Sequence, residues 1–112
     1  MIALFAAMPV EAAELTDLLA PSPPLPGGFP RYRGRIADKE VELVLTGPGK
    51  VNAAAAGGIY LSATQPDLVL QFGCGGAYPQ AALQPGDLAL ASCEILLDEG
   101  SDSPDGFLDF EA

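Results

Sequence analysis

Ile2-Ala-Leu-Phe-Ala-Ala7 is an unbroken apolar run, and Pro9 follows it two residues later. A run this short, without an amphipathic period, predicts a strand covered on both faces. Pro9 suits the first turn of a helix, since its missing amide hydrogen would have no partner there. The helix continues from Val10 to Leu19. Val10, Ala13, Leu15, Leu18 and Leu19 group near one face, and Glu11, Glu14 and Asp17 on another. A strand leading straight into a helix, at the very start of the chain, points to an α/β sheet with helices on its faces. The run is not read as a signal peptide: no Lys or Arg precedes it, and Glu11 and Glu14 follow at once.

The remaining segments extend this pattern. Pro21-Ser-Pro-Pro-Leu-Pro-Gly-Gly28 predicts a surface loop within one domain, because its prolines and glycines forbid a helix. Tyr32 to Ala37, the polar turn Asp38-Lys39-Glu40, and Val41 to Thr46 predict two strands joined as a hairpin. Gly47-Pro-Gly-Lys50 turns into a helix over Val51 to Thr64. Gly57 and Gly58 each cost that helix about 1 kcal/mol against alanine; small residues retained at that cost predict close approach by another element, such as a second subunit. Leu68 to Phe72 is expected as a buried strand, Gln84-Pro-Gly-Asp87 as a turn, and Leu88 to Leu97 as a last strand. From Asp98 onward the chain is acidic and rich in turns. The strands at 68–72 and 88–97 need apolar cover that the rest of the chain does not supply.

Charge and cysteine usage narrow the function. The formal net charge is −10, and the five basic residues (Arg31, Arg33, Arg35, Lys39, Lys50) fall in one stretch. Such a surface repels phosphate backbones and anionic lipid, so neither nucleic acid nor a membrane is an expected partner. Cys74 and Cys93 share no CxxC spacing and the chain has no histidine, which speaks against a zinc site and for a reducing, cytoplasmic location. No metal or cofactor is expected.

The motifs that carry chemistry lie at strand ends. Neither Gly47-Pro-Gly-Lys50 nor Gly73-Cys-Gly-Gly-Ala-Tyr78 completes GxGxxG, and no Ser or Thr follows Lys50 as a P-loop requires. A dinucleotide-binding module is therefore the weakest reading. Ala7-Met8-Pro9-Val10-Glu11 puts a carboxylate just past the first strand, at the sheet edge where α/β folds bind ligands. The helix dipole favours its ionised form, which suits a base that takes a proton from water. By spacing alone, an acid that merely complements the dipole is the simpler reading. Four small residues between Gly73 and Ala77 exceed what one turn needs, and they let backbone amides approach a ligand closely. Cys74 has no histidine to activate it, so it is expected to line a pocket rather than attack.

Four blocks together, IALFAAMPVE (2–11), TGPGKV (46–51), PDLVLQFGCGGA (66–77) and LQPGDL (83–88), resemble the nucleoside phosphorylase/nucleosidase superfamily in order and spacing. The resemblance covers essentially all 112 residues. It implies the N-terminal portion of one phosphorylase/hydrolase-like domain, with a central mixed sheet flanked by helices. Within the superfamily the likeness is to nucleosidases. Methylthioadenosine/S-adenosylhomocysteine nucleosidases carry Met-Glu-Glu-Glu where this chain has Met8-Pro9-Val10-Glu11. The acidic stretch from Asp98 to Asp109 is similar to that of futalosine hydrolases, which release hypoxanthine from futalosine in menaquinone biosynthesis, and on that ground futalosine is the expected substrate.

The resemblance further implies that Glu11 activates the attacking water, that Met8 lines the ribose pocket, and that Cys74, Gly75 and Gly76 border ribose and base. Phe107 matches, loosely, an aromatic that reaches a neighbouring subunit's pocket, so a homo-oligomer of two or more chains is expected. Gln71 stands where hexameric phosphorylases carry a phosphate-binding arginine, and residues 1–30 hold no Lys or Arg; water is then the expected nucleophile. Family domains are about twice as long. The ribose-binding glutamate and the purine-protonating aspartate are expected in a second half, and the chain reads as a fragment that is inactive alone. A methylthioadenosine/S-adenosylhomocysteine nucleosidase and a non-catalytic truncated interaction domain are the alternatives.

Overall fold

A computed structural model describes residues 1–94, 96 and 98–109. It divides into two units, residues 1–76 and 77–112.

In the first unit, strand β1 (Ile2–Ala6) lies between β4 (Lys39–Leu45) and β5 (Leu68–Phe72), parallel to both. Strands β2 (Ala20–Leu25) and β3 (Phe29–Ile36) complete a mixed sheet in the order β2-β3-β4-β1-β5, with β2–β3 and β3–β4 antiparallel. A 3-10 turn at Pro9–Ala12 leads into helix α1 (Ala13–Leu18), and helix α2 (Lys50–Ala63) joins β4 to β5. The period-two alternation of β1 feeds two cores. Ala3 and Phe5 pack with Val44, Leu25, Ala56 and Tyr60 beneath α2. Ala6, with the partly buried Ile2 and Leu4, packs with Leu43, Leu45, Ala12 and Leu19 on the α1 side. Both faces of β1 are thus covered, as its continuous apolar run predicts. The Phe5 and Tyr60 rings meet edge to face at 5.5 Å, a geometry their ring quadrupoles favour.

Several expectations are corrected. The proline-rich segment is not a loop: Ala20–Leu25 is a strand. It lies at the sheet edge, where prolines cost no ladder bond if their nitrogens face outward, and its register shifts between Ser22 and Leu25. The first helix buries only part of the expected set: Leu19 is buried and Leu15 partly so, against the same core. Val10 and Leu18 are 80% and 65% exposed, while Ala12 is buried. A 3-10 turn advances three residues per turn, so the 3.6-residue phase assumed from Val10 onward is lost before α1 begins. Strand β5 exists but is not buried; among the described residues it pairs only with β1, at the other sheet edge, and Leu68, Val69 and Leu70 are exposed. The hairpin forms, but its turn is Ala37-Asp38, both at positive φ (45° and 67°), the backbone of a two-residue turn matched to strand twist, and Lys39 and Glu40 belong to β4. A Cβ at Gly57 or Gly58 would meet no atom within 4 Å, so nothing among the described residues approaches α2 there.

The second unit contains a 3-10 turn at Pro79–Ala81 and a turn at 84–87, in which Gln84 and Asp87 exchange hydrogen bonds. Strands β6 (Gly100–Ser103) and β7 (Gly106–Asp109) form an antiparallel hairpin, so the acidic segment is partly strand. No strand forms among the described residues of 88–97, against expectation. Leu88 and Leu90 are 98% and 94% exposed; an apolar run becomes a strand only when a neighbour takes up its amides and carbonyls. Ile95 and Leu97, part of the expected strand, lie outside the described residues.

Candidate active site

Register builds the site. Ala6 of β1 is the parallel partner of Phe72 of β5. The residues just past each strand, Ala7 to Glu11 and Gly73 to Gly76, therefore leave the sheet at the same carboxyl edge, where α/β folds bind ligands. The Pro9–Ala12 turn closes on itself there. The Glu11 amide donates to the Met8 carbonyl at 3.1 Å, and the Met8 amide donates back to Glu11 Oε2 at 2.8 Å. This is the glutamate half of a capping box. The other oxygen, Oε1, accepts the Cys74 amide at 3.0 Å.

These bonds hold the Glu11 carboxyl below the usual carboxylate range. The Cys74 amide contributes most and the Met8 amide next, with partial desolvation opposing them. Glu11 is thus an oriented anion at neutral pH. A carboxylate has about four lone-pair sites, so those the two amides leave free can accept a proton from water.

The structure brings Glu11, Met8 and Cys74 together. Cys74 enters through its backbone amide, a role that thiol-centred reasoning missed; its side chain is exposed. Met8, Gly75 and Gly76 are exposed beside them. A groove of about 500 Å³ borders Glu11, lined also by Val10, Ala13, Glu14, Leu15, Leu18 and Phe72. Met8, Cys74, Gly75 and Gly76 do not line it, so it is not the pocket those residues were expected to border. Phe107 lies on β7 in the second unit and is half exposed. Gln71 lies on β5.

The Glu11 carboxylate thus stands at the carboxyl end of β1, in a five-stranded mixed sheet with α2 on one face. The chain belongs to the phosphorylase superfamily, whose sequence model matches residues 1–111. Among individual proteins, it is 37% identical to the 5′-methylthioadenosine/S-adenosylhomocysteine nucleosidase of Maridesulfovibrio salexigens, over 81% of this chain and 39% of that protein. It is 33% identical to the enzyme of the same name from Staphylococcus haemolyticus, over 82% and 40%. The crystal structure of the Neisseria meningitidis nucleosidase of that name, in complex with methylthio-immucillin-A, aligns with a TM-score of 0.55 at 32% identity, over 62% of this chain and 31% of the other. The chain spans about 40% of the length of the curated relatives that it matches over most of its own length.

Proposed function

We propose that this chain supplies the water-activating side of a nucleosidase that hydrolyses the N-ribosidic bond of 5′-methylthioadenosine and S-adenosylhomocysteine. The observation that carries the reading is the Glu11 carboxylate, fixed by two backbone amides at the carboxyl end of β1. The names of the similar nucleosidases support this substrate class over futalosine. As the bond between C1′ and the purine nitrogen lengthens, the sugar gains oxocarbenium character. The water oxygen bonds to C1′, its proton passes to Glu11, and the bonding pair leaves with the purine. The purine takes up a proton as it departs, from an acid not assigned within residues 1–112. Met8, Gly75 and Gly76 stand exposed at the same edge, and in this reading they border the ribose.

Futalosine remains the second reading, carried by the acidic segment Asp98 to Asp109. One experiment separates the readings: the intact protein is incubated with each nucleoside in phosphate-free buffer. Adenine release from methylthioadenosine supports the proposal. Hypoxanthine release from futalosine alone moves the substrate. Turnover that requires phosphate makes the enzyme a phosphorylase. Neither turnover nor nucleoside binding would favour a non-catalytic interaction domain.

A further inference from the structure

We infer that Gly73 is a positioning residue for Glu11: the missing side chain at position 73 is what allows the carboxylate to reach the Cys74 amide. The inference rests on the reading of Glu11 as the base for its catalytic meaning, but its geometry stands independently. Gly73 directly follows β5 and is not among the glycines at positive φ, so its backbone does not demand glycine. The space does. A Cβ there would lie 2.8 Å from Glu11 Oε1, 3.3 Å from Cδ and 3.6 Å from Oε2. Real Cβ atoms do not approach other atoms as closely as the first of these. Gly75 and Gly76, two and three residues on, would meet nothing within 4 Å. Of the glycines in this turn, only Gly73 is pressed against the carboxylate.

Glu11 has little freedom to give way. Its second oxygen is held by the Met8 amide at 2.8 Å, inside a turn that the Glu11 amide itself closes. A methyl group at position 73 therefore pushes Oε1 away from the Cys74 amide, which contributes most to keeping this carboxyl ionised. Gly73 thus acts through Glu11 without needing to touch a substrate.

The test follows the Glu11 carboxyl carbon by NMR as a function of pH in the intact protein, in Gly73→Ala and in Gly75→Ala. The expected result is a titration midpoint displaced to higher pH in Gly73→Ala and unchanged in Gly75→Ala. An unchanged midpoint in a folded Gly73→Ala protein overturns the inference. A double-mutant cycle covers the case in which Gly73→Ala folds poorly. Thermal stability should fall when Gly73→Ala is made in the native chain and should not fall when it is made on Glu11→Ala, where no carboxylate remains to collide. An equal fall on both backgrounds, including failure to fold on both, overturns it. A displaced midpoint in a protein whose native form hydrolyses no nucleoside would leave the positioning role intact and refute the functional reading alone.

Discussion

Glu11 Oε1 accepts the backbone amide of Cys74 at 3.0 Å, joining residues 63 apart in the chain. With the Met8 amide on Oε2, the contact fixes both oxygens of one carboxylate at the junction of β1 with its helical turn. Glu11→Gln keeps the size of the side chain and removes its capacity as a base. Hydrolysis should fall by about 10²–10⁴-fold, the usual value of general-base help, with the circular dichroism spectrum unchanged. Cys74→Ala leaves the amide in place and should keep the Glu11 titration of the native protein. Base release measured by chromatography, beside the NMR titration, checks both.

Stability should depend on pH in a direction set by two carboxyls. Glu11 is lowered from its ordinary value of 4.5 by backbone amides. Asp67 is lowered from 3.8, first by its hydrogen bond with the N-terminal amine and then by that amine's charge. For both, the folded state binds protons less readily than the unfolded state. Their contribution is therefore complete above the ordinary values and is lost as pH falls through the depressed ones. The melting temperature should be level near neutrality and drop below about pH 4.5. Glu11→Gln and Asp67→Asn should each flatten that drop, as read by calorimetry across the acid range.

Tyr60 separates ring packing from hydrogen bonding. Its ring is fully buried against Phe5, while its hydroxyl, beside Glu42, has no hydrogen-bond partner of normal geometry among the described residues. Burial, and then the neighbouring Glu42, push its ionisation well above the ordinary tyrosine range, so it stays neutral. Removing an unpartnered hydroxyl sacrifices no bond. Tyr60→Phe should change unfolding stability by less than about 1 kcal/mol, whereas Tyr60→Ala should cost about 3–5 kcal/mol through the cavity it leaves. Urea denaturation of the two variants measures the difference.

Gly57 and Gly58 lie inside α2 with open space where a side chain would stand. Gly57→Ala and Gly58→Ala should each stabilise the chain by about 0.5–1 kcal/mol, since alanine holds helix better than glycine. If a second subunit packs closely there, as the sequence pattern suggested, the same substitutions should instead weaken association. Thermal melting at several protein concentrations distinguishes the two results.

Elements with strong local signals were legible without coordinates. The apolar run of β1, the β3–β4 hairpin with its Asp38 turn, the alanine-rich helix after Gly49 and the strand before Gly73 all appear where period and turn chemistry place them. The failures share one cause. Pro21 to Leu25 is a strand, Leu68 to Leu70 are exposed, and no strand forms among the described residues of 88–97 because each depends on position within a sheet. Proline content and hydrophobicity do not report whether a segment lies at an edge, at the centre or without a neighbour.

By itself the sequence determined that the segments with strong local signals, such as β1 and α2, become strand or helix, and that an acid, Glu11, stands where the first strand gives way to a helical turn. Local periodicity and backbone preference suffice for that. Only the tertiary structure decided what the acid touches. The parallel register that pairs Ala6 with Phe72 brings Met8, Glu11, Gly73 and Cys74 to one edge of the sheet. A hydrogen bond across 63 residues exists only once β1 and β5 lie side by side, and no local preference encodes that pairing.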